Sequence, residues 1–286
     1  MIENASLKEL MPNLFILNSP FVHSKRSLII DATGSVMIDT SVSLAETKMM
    51  IDKADELGQP IRRLILTDGH FDHSAGSQLL AEAERIAQRG VGEWMLSKHA
   101  QDYLELDPPE HPDLKMFTVT LPTFEIDGSA VLNLTHRLLR LFPTPGHSPT
   151  HMSVFLEPDG VIFAGDAVMT CFPPVIQDGE SEDALESYRE ILEMDFNWLV
   201  PGHGPVLEAA EAREHIERCI QYLQELRIRI SKFDDPGISF EEVEQSVKEL
   251  PCLFPDDIEM VEEWHDKAVN KVWDERRGEL MGGNFR

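Results

Sequence analysis

Four side chains able to hold a metal ion, Asp68, His70, Asp72 and His73, fall within the short segment Leu66-Thr67-Asp68-Gly69-His70-Phe71-Asp72-His73. Imidazole nitrogens and carboxylate oxygens at this density suit zinc, or a harder first-row ion such as iron or manganese. Three further groups of the same kind stand in small-residue turns downstream. They are His147 in Pro145-Gly146-His147, Asp166 in Gly165-Asp166-Ala167, and His203 in Pro201-Gly202-His203-Gly204-Pro205. A divalent ion lowers the pKa of bound water to about 7, giving hydroxide at neutral pH. Two ions roughly 3.5–4 Å apart can share that hydroxide and polarise a carbonyl or phosphoryl oxygen.

Each of these groups follows an apolar run: Leu64 to Leu66, Leu138 to Phe142, Val161 to Ala164, and Trp198 to Val200. Short apolar runs bounded by turn residues read as buried strands. The pattern is strand, turn, ligand, four times over. Glycine in those turns lets the backbone approach an ion closely or take a positive φ. Ligands delivered from four strand ends converge only if the strands lie side by side or in facing sheets, which places the site on loops over a rigid scaffold.

Thr67, His70, Asp72, His73, His147, Asp166 and His203 match, in order, the Thr-His-x-His-x-Asp-His signature and the later His, Asp and His of the metallo-β-lactamase superfamily. The strands expected at Asn13 to Leu17, Ser27 to Ile30 and Val36 to Thr40 also resemble that family's opening, and the likeness covers residues 10 to 206. It implies a four-layer αββα sandwich, here with a catalytic domain over 1–206 and a helical C-terminal extension over 207–286. It also implies two divalent metal ions, zinc or iron/manganese: the first on Asp68, His70 and His147, the second on Asp72, His73 and His203, with Asp166 bridging. The chain departs from the family at Asp68, where the first histidine usually stands. A ligating Asp68 makes the first site harder and shifts preference toward iron or manganese; the alternative is that Asp68 is a solvated turn residue.

The activity this implies is metal-dependent hydrolysis of a small ester, thioester, lactone or phosphoester, of the glyoxalase II or lactonase type. Asp72 and His203 are the candidate catalytic proton carriers if only one ion binds. True β-lactamases of the family commonly carry a cysteine or a differently placed histidine where Asp166 stands, so that activity is disfavoured. The alternative class is a mononuclear iron oxidoreductase resembling the sulfur dioxygenases, using Asp68, His147 and Asp166.

Composition narrows the partners. The chain has 286 residues, enough for one large core and an appendage. Its formal charge of −26 repels phosphate backbones, so a small-molecule substrate is expected and nucleic acid is not. No apolar run approaches a membrane span, the N-terminus lacks a signal pattern, and three scattered cysteines suit a reducing compartment; a cytoplasmic protein is expected.

The remaining elements are read from periodicity. Leu79, Leu80, Ala83 and Ile86 are spaced for a helix over Ser77 to Gln88, and Glu93 to Leu106 reads as a further strand-to-helix unit. A long helix is expected over Leu207 to Lys232, a start capped by Ser239 and Glu242, and a last helix over Asp256 to Leu280. Met260, Trp264, Val269 and Trp273 on that last helix are expected to cover the pocket mouth or to form a homodimer interface. His151 reads as a support for the ligand loop that does not touch metal. His23 is a candidate for substrate contact, Cys171 a pocket-wall residue, and His99, His111 and His136 solvated surface groups.

Overall fold

The computed structural model describes residues 5–98, 117–255 and 258–282. Strands β1 (Ser6–Met11), β2 (Leu14–Asn18), β3 (Lys25–Ile29) and β4 (Ser35–Ile38) pair antiparallel in sequence order. Helix α1 (Leu44–Glu56) then crosses over to β5 (Ile61–Ile65), which adds parallel to β4. After the short helix α2 (Phe71–Ser74) and a 3-10 segment, β6 (Glu84–Gln88) adds parallel to β5. Helix α3 (Val91–Leu96) and β7 (Phe124–Ile126) follow, completing a seven-stranded sheet.

The second sheet holds β8 (Ala130–Asn133), β9 (Leu138–Pro143), β10 (Met152–Glu157), β11 (Val161–Gly165), β12 (Trp198–Pro201) and β13 (Leu207–Glu208), in the order β13-β12-β11-β10-β9-β8. Helix α4 (Ser181–Glu193) makes the crossover between the parallel pair β11 and β12.

Strand alternation sorts the apolar side chains into layers. Leu14, Ile16 and Ile38 of the first sheet share one cluster with Leu139, Val154, Phe163 and Val200 of the second, so this cluster fills the space between the sheets. Their neighbours Phe15, Leu17 and Met37 face the other way, onto Met50 and Ala54 of α1. Phe155, Ile162 and Leu199 face outward from the second sheet onto α4 and three later helices: α5 (Ala209–Ile230), α6 (Phe240–Val247) and α7 (Val261–Leu280). The result is the expected αββα sandwich. Burial of each such side chain contributes about 1.5–3 kcal/mol, so the two sheets are held as one rigid floor for the loops at their ends.

The long helix and the helix start capped by Ser239 form where periodicity places them, whereas the last helix starts later than the expected Asp256, after Met260 with its left-handed φ of 51°. Ile216, Leu223, Leu226 and Ile230 form the buried stripe of α5, and Ser239 Oγ accepts the Glu242 N–H at the start of α6. The last helix begins at Val261. No helix among the described residues is long and apolar enough to cross a membrane.

The helix expected over Ser77 to Gln88 does not form. Ala75–Leu80 is a 3-10 turn and Glu84–Gln88 is strand β6. Ala83 and Ile86 satisfy a helical spacing, but Ile86 faces the inter-sheet core while the adjacent Ala87 faces the outer layer. Burial on both faces is the mark of a central parallel strand. The ladders that β6 makes to β5 and β7 outweigh the local preference. The unit expected at Glu93 to Leu106 is described only through residue 98, where it contributes α3; His99 and His111 lie outside the described residues.

Candidate metal centre

Four strand ends deliver the seven expected ligands to one place. Asp68, His70, Asp72 and His73 follow β5, His147 follows β9, Asp166 follows β11 and His203 follows β12. They form two donor clusters, Asp68 with His70 and His147, and Asp72 with His73, Asp166 and His203, each with ligand atoms mutually within 4.8 Å. Asp166 Oδ2 lies 3.0 Å from His73 Nε2 and 3.5 Å from His147 Nε2, so it faces a donor of each cluster. Its Oδ1 lies 3.4 Å from His203 Nε2. His203 Nε2 is also 3.2 Å from Asp72 Oδ2.

Each histidine has its outer nitrogen tied to an oxygen, which turns the other nitrogen inward. His73 Nδ1 meets Asp39 Oδ2 at 3.0 Å and His70 Nε2 meets Asp178 Oδ2 at 3.0 Å. His147 Nδ1 donates to the Val175 carbonyl at 2.9 Å, and His203 Nδ1 to the Val22 carbonyl at 2.7 Å. Such outer partners fix tautomer and ring orientation at metal sites. His73 Nε2 and Asp166 Oδ1 are buried and, among the described residues, face other candidate ligands without making a well-aligned hydrogen bond. Buried polar atoms are normally satisfied, and a cation between these two clusters would satisfy both.

Asp68 is fully buried, which overturns the solvated-turn alternative. Its Oδ1 accepts the His70 backbone N–H at 2.9 Å and lies 2.8 Å from His70 Nδ1, and its Oδ2 accepts the Ser148 hydroxyl at 2.6 Å. Burial disfavours its charge, yet His70, His147 and His151 outweigh that and hold the carboxyl well below the usual carboxylate range. Asp166 is likewise depressed, burial being outweighed by His73 and His203. Burial opposes the charged form of His70, but Asp68 and Asp178 raise it to about 10. Against the same opposition, Asp166 and Asp72 raise His203 to about 9. These shifts describe the ion-free site, in which protons stand where cations would.

Three residues that support the site, Asp39, Asp178 and Arg26, are not apparent from the sequence, whereas Gly202 stands in one of the glycine turns the sequence singles out. Asp39, at the end of β4 with φ of 59°, accepts from the Thr67 N–H and hydroxyl at 2.7 Å each as well as facing His73. Its only sequence signal is a carboxylate closing an apolar strand. Asp178 carries none. Arg26 is fully buried; one of its terminal nitrogens donates to the Asp72 carbonyl and lies 3.8 Å from the Asp72 carboxylate. Gly202 is required sterically, since a Cβ there would stand 1.8 Å from Asp166 Oδ1.

His151 is the supporting residue expected: Nδ1 meets Thr144 Oγ1 at 2.9 Å and Nε2 accepts the Ala167 N–H at 3.3 Å. Its burial pushes its pKa down to about 4, keeping the ring neutral beside the ligand loop. His23 does not overhang the ligands. Its ring pairs with Glu259 at 3.2 Å and lines a neighbouring cavity with Lys25 and Cys171. The adjacent Phe21 and Val22 reach the metal cavity instead. Cys171 lines that neighbouring cavity and not the metal cavity, and burial pushes its thiol up to about 12, leaving it inert. His136 is exposed, as expected.

The sequence pattern of the metallo-beta-lactamase superfamily matches residues 24–203, more than half of the chain. The chain belongs to the metallo-beta-lactamase superfamily. With its Asp/His site, it is a metallo-hydrolase of that superfamily. It is 25% identical over 221 residues to the uncharacterized protein YobT of Bacillus subtilis (strain 168), covering 71% of this chain and 89% of that one. It is 26% identical over 201 residues to the probable metallo-hydrolase YflN of the same organism, covering 59% and 75%. Among solved structures, a metallo-beta-lactamase from Pontibacter korlensis superposes with a TM-score of 0.63 at 15% identity, over 77% of this chain and 99% of that one. This last likeness concerns the fold.

Within a superfamily site of this kind, Asp178 is expected to set metal affinity from outside. Asp178→Ala frees the outer nitrogen of His70, and a loss of roughly 10–100-fold in metal affinity is expected, measured by competition with a chromogenic chelator. Unchanged affinity would show that His70 is oriented by other contacts.

Proposed function

We propose that this protein is a binuclear metal-dependent hydrolase of a small ester, thioester, lactone or phosphoester. The observation that carries this reading is the pair of adjoining donor clusters with Asp166 facing both. Asp68, His70 and His147 would hold one ion, Asp72, His73 and His203 the other, and Asp166 would join them. The buried His73 Nε2 and Asp166 Oδ1, which face other candidate ligands without a well-aligned hydrogen bond, fit such occupancy. The third carboxylate, Asp68, favours iron or manganese over zinc relative to a three-histidine site. When bound, the ions supply Lewis acidity toward a substrate oxygen and lower the pKa of water to about 7.

The protein's own groups do the rest. Outer partners on the four histidines keep the inner nitrogens aimed without reorganisation. If only one ion binds, His203 Nε2 and Asp72 Oδ2, 3.2 Å apart, would instead be placed to hold a proton and pass it to a leaving group. Arg26 anchors the backbone of Asp72 from the buried side. Residues 207–286 are read as an extension that completes the cavity wall, because Met260 and Trp264 line it.

Metal content per chain, measured by plasma mass spectrometry in the wild type and in Asp68→Ala, tests the reading. Two ions falling to about one in the variant is the expected result. One ion in both proteins would remove the binuclear reading and move the weight to mononuclear chemistry.

A further inference from the structure

The cavity above the two clusters has a volume of about 210 Å³, and its walls beyond the ligands are almost wholly apolar. Phe21 and Val22 come from the β2–β3 hairpin, Met169 and Phe172 from the segment after β11, and Met260 and Trp264 from the start of α7. Met169, Phe172 and Trp264 pack against one another, with the Phe172 and Trp264 rings 6.3 Å apart. No lysine or arginine lines this cavity among the described residues. Two lysines stand near its walls, and both are engaged. Lys25 lines the neighbouring cavity and donates to the His23 carbonyl at 2.7 Å, while Lys267 lies over the Trp264 ring and binds Glu263 at 2.8 Å.

The charge of the site points the same way. Asp39, Asp68, Asp72, Asp166 and Asp178 supply five carboxylates around the histidines, and buried Arg26 supplies one guanidinium. Two divalent ions would neutralise the remaining four negative charges with no excess. An anionic substrate would therefore meet neither a net positive site nor a cationic side chain, in a chain of formal charge −26. An uncharged substrate has no such handicap, and it gains from burying apolar surface.

We propose that the substrate is an uncharged ester, thioester or lactone whose acyl group is apolar and lies against Phe21, Val22, Phe172, Met260 and Trp264. The inference rests on the metallo-hydrolase reading and narrows it, setting aside phosphoesters and acyl groups that carry a carboxylate.

The test uses the metal-loaded protein with p-nitrophenyl acetate, butyrate and hexanoate, and with p-nitrophenyl hemisuccinate and p-nitrophenyl phosphate. kcat/KM is expected to rise about fourfold per added methylene. Hemisuccinate is expected to fall at least tenfold below butyrate, and phosphate to be turned over slowest. Trp264→Ala is expected to flatten the chain-length dependence, and Trp264→Phe to retain it. In parallel, binding of the uncleaved N-phenyl amides of the same acids is followed by tryptophan fluorescence, with Trp264→Phe as the control. Affinity rising with chain length is the expected result. Turnover that is flat with chain length, or faster for hemisuccinate or phosphate, overturns the inference while leaving the hydrolase reading intact. Amide affinity that rises with chain length without any ester cleavage supports the apolar cavity and sinks the hydrolase reading. Neither turnover nor binding overturns both.

Discussion

Asp166→Ala is expected to reduce turnover on the order of 10³-fold and to leave no more than one metal ion per chain. Asp166 alone among the described carboxylates faces the inner nitrogens of three histidines, His73, His147 and His203, at 3.0, 3.5 and 3.4 Å. Removing it deprives both clusters of a shared anionic oxygen and lets three imidazoles face one another across a cavity. Each ion contributes several kcal/mol of transition-state stabilisation, and about 4 kcal/mol corresponds to a thousandfold in rate. Asp166→Asn separates charge from shape. It keeps the carbonyl oxygen and the space-filling but removes the anion, so it should recover little activity. Metal content, kcat on a neutral ester and a circular-dichroism melt, taken together, check the expectation. A variant with two ions and wild-type turnover would show that Asp166 is dispensable as the joining residue.

The metal-free protein is expected to lose stability as pH rises from 7 to 10, on the order of several kcal/mol. In the folded state His70 is raised to about 10 and His203 to about 9, because neighbouring carboxylates outweigh burial. In the unfolded chain both return to about 6.5. The native state therefore holds more protons than the unfolded state between these values, and stability falls with pH there. The histidine contribution is fully present below about 6.5 and is lost as pH passes 9 to 10. The depressed carboxyls of Asp68 and Asp166 act in the opposite sense. Their contribution is present above about pH 4 and is lost as pH falls through their folded values. Thermal melts of chelated protein should thus peak between about pH 4 and 6.5.

Metal loading removes the same protons. Binding at pH 7 is expected to release protons from His70, His73 and His203, since all three are raised in the ion-free site. Titration calorimetry in buffers of different ionisation enthalpy measures that release directly. Zero release, together with melts flat from pH 7 to 10, would mean that the histidines are neutral before the ions arrive.

The seven candidate ligands are legible in the amino-acid sequence because their signal is local. A carboxylate or imidazole beside a glycine, one step past an apolar run, is a property of a few consecutive residues. Four of the ligands share one loop, and covalent spacing alone keeps Asp68, His70, Asp72 and His73 together. The same holds for the start of α6, where Ser239 and Glu242 lie three residues apart. Wherever the deciding contact is short in sequence, the chain announces it.

The sequence by itself thus determined the candidate ligand set and its placement at strand ends, and its resemblance to the superfamily implied the sandwich those strands build. Tertiary structure alone decided which outer partners hold the histidines: Asp39 is 34 residues from His73, and Asp178 is 108 residues from His70. It also decided that Glu84–Gln88 is a strand, because the choice rests on ladders to β5 and β7 that no local spacing encodes. Phe21 and Val22, not His23, line the cavity of the candidate ligands because the hairpin tip takes positive φ at Val22 and His23 and closes against Gly204 and Glu259. Side-chain type is written residue by residue, whereas the direction a side chain faces is fixed by what packs behind it.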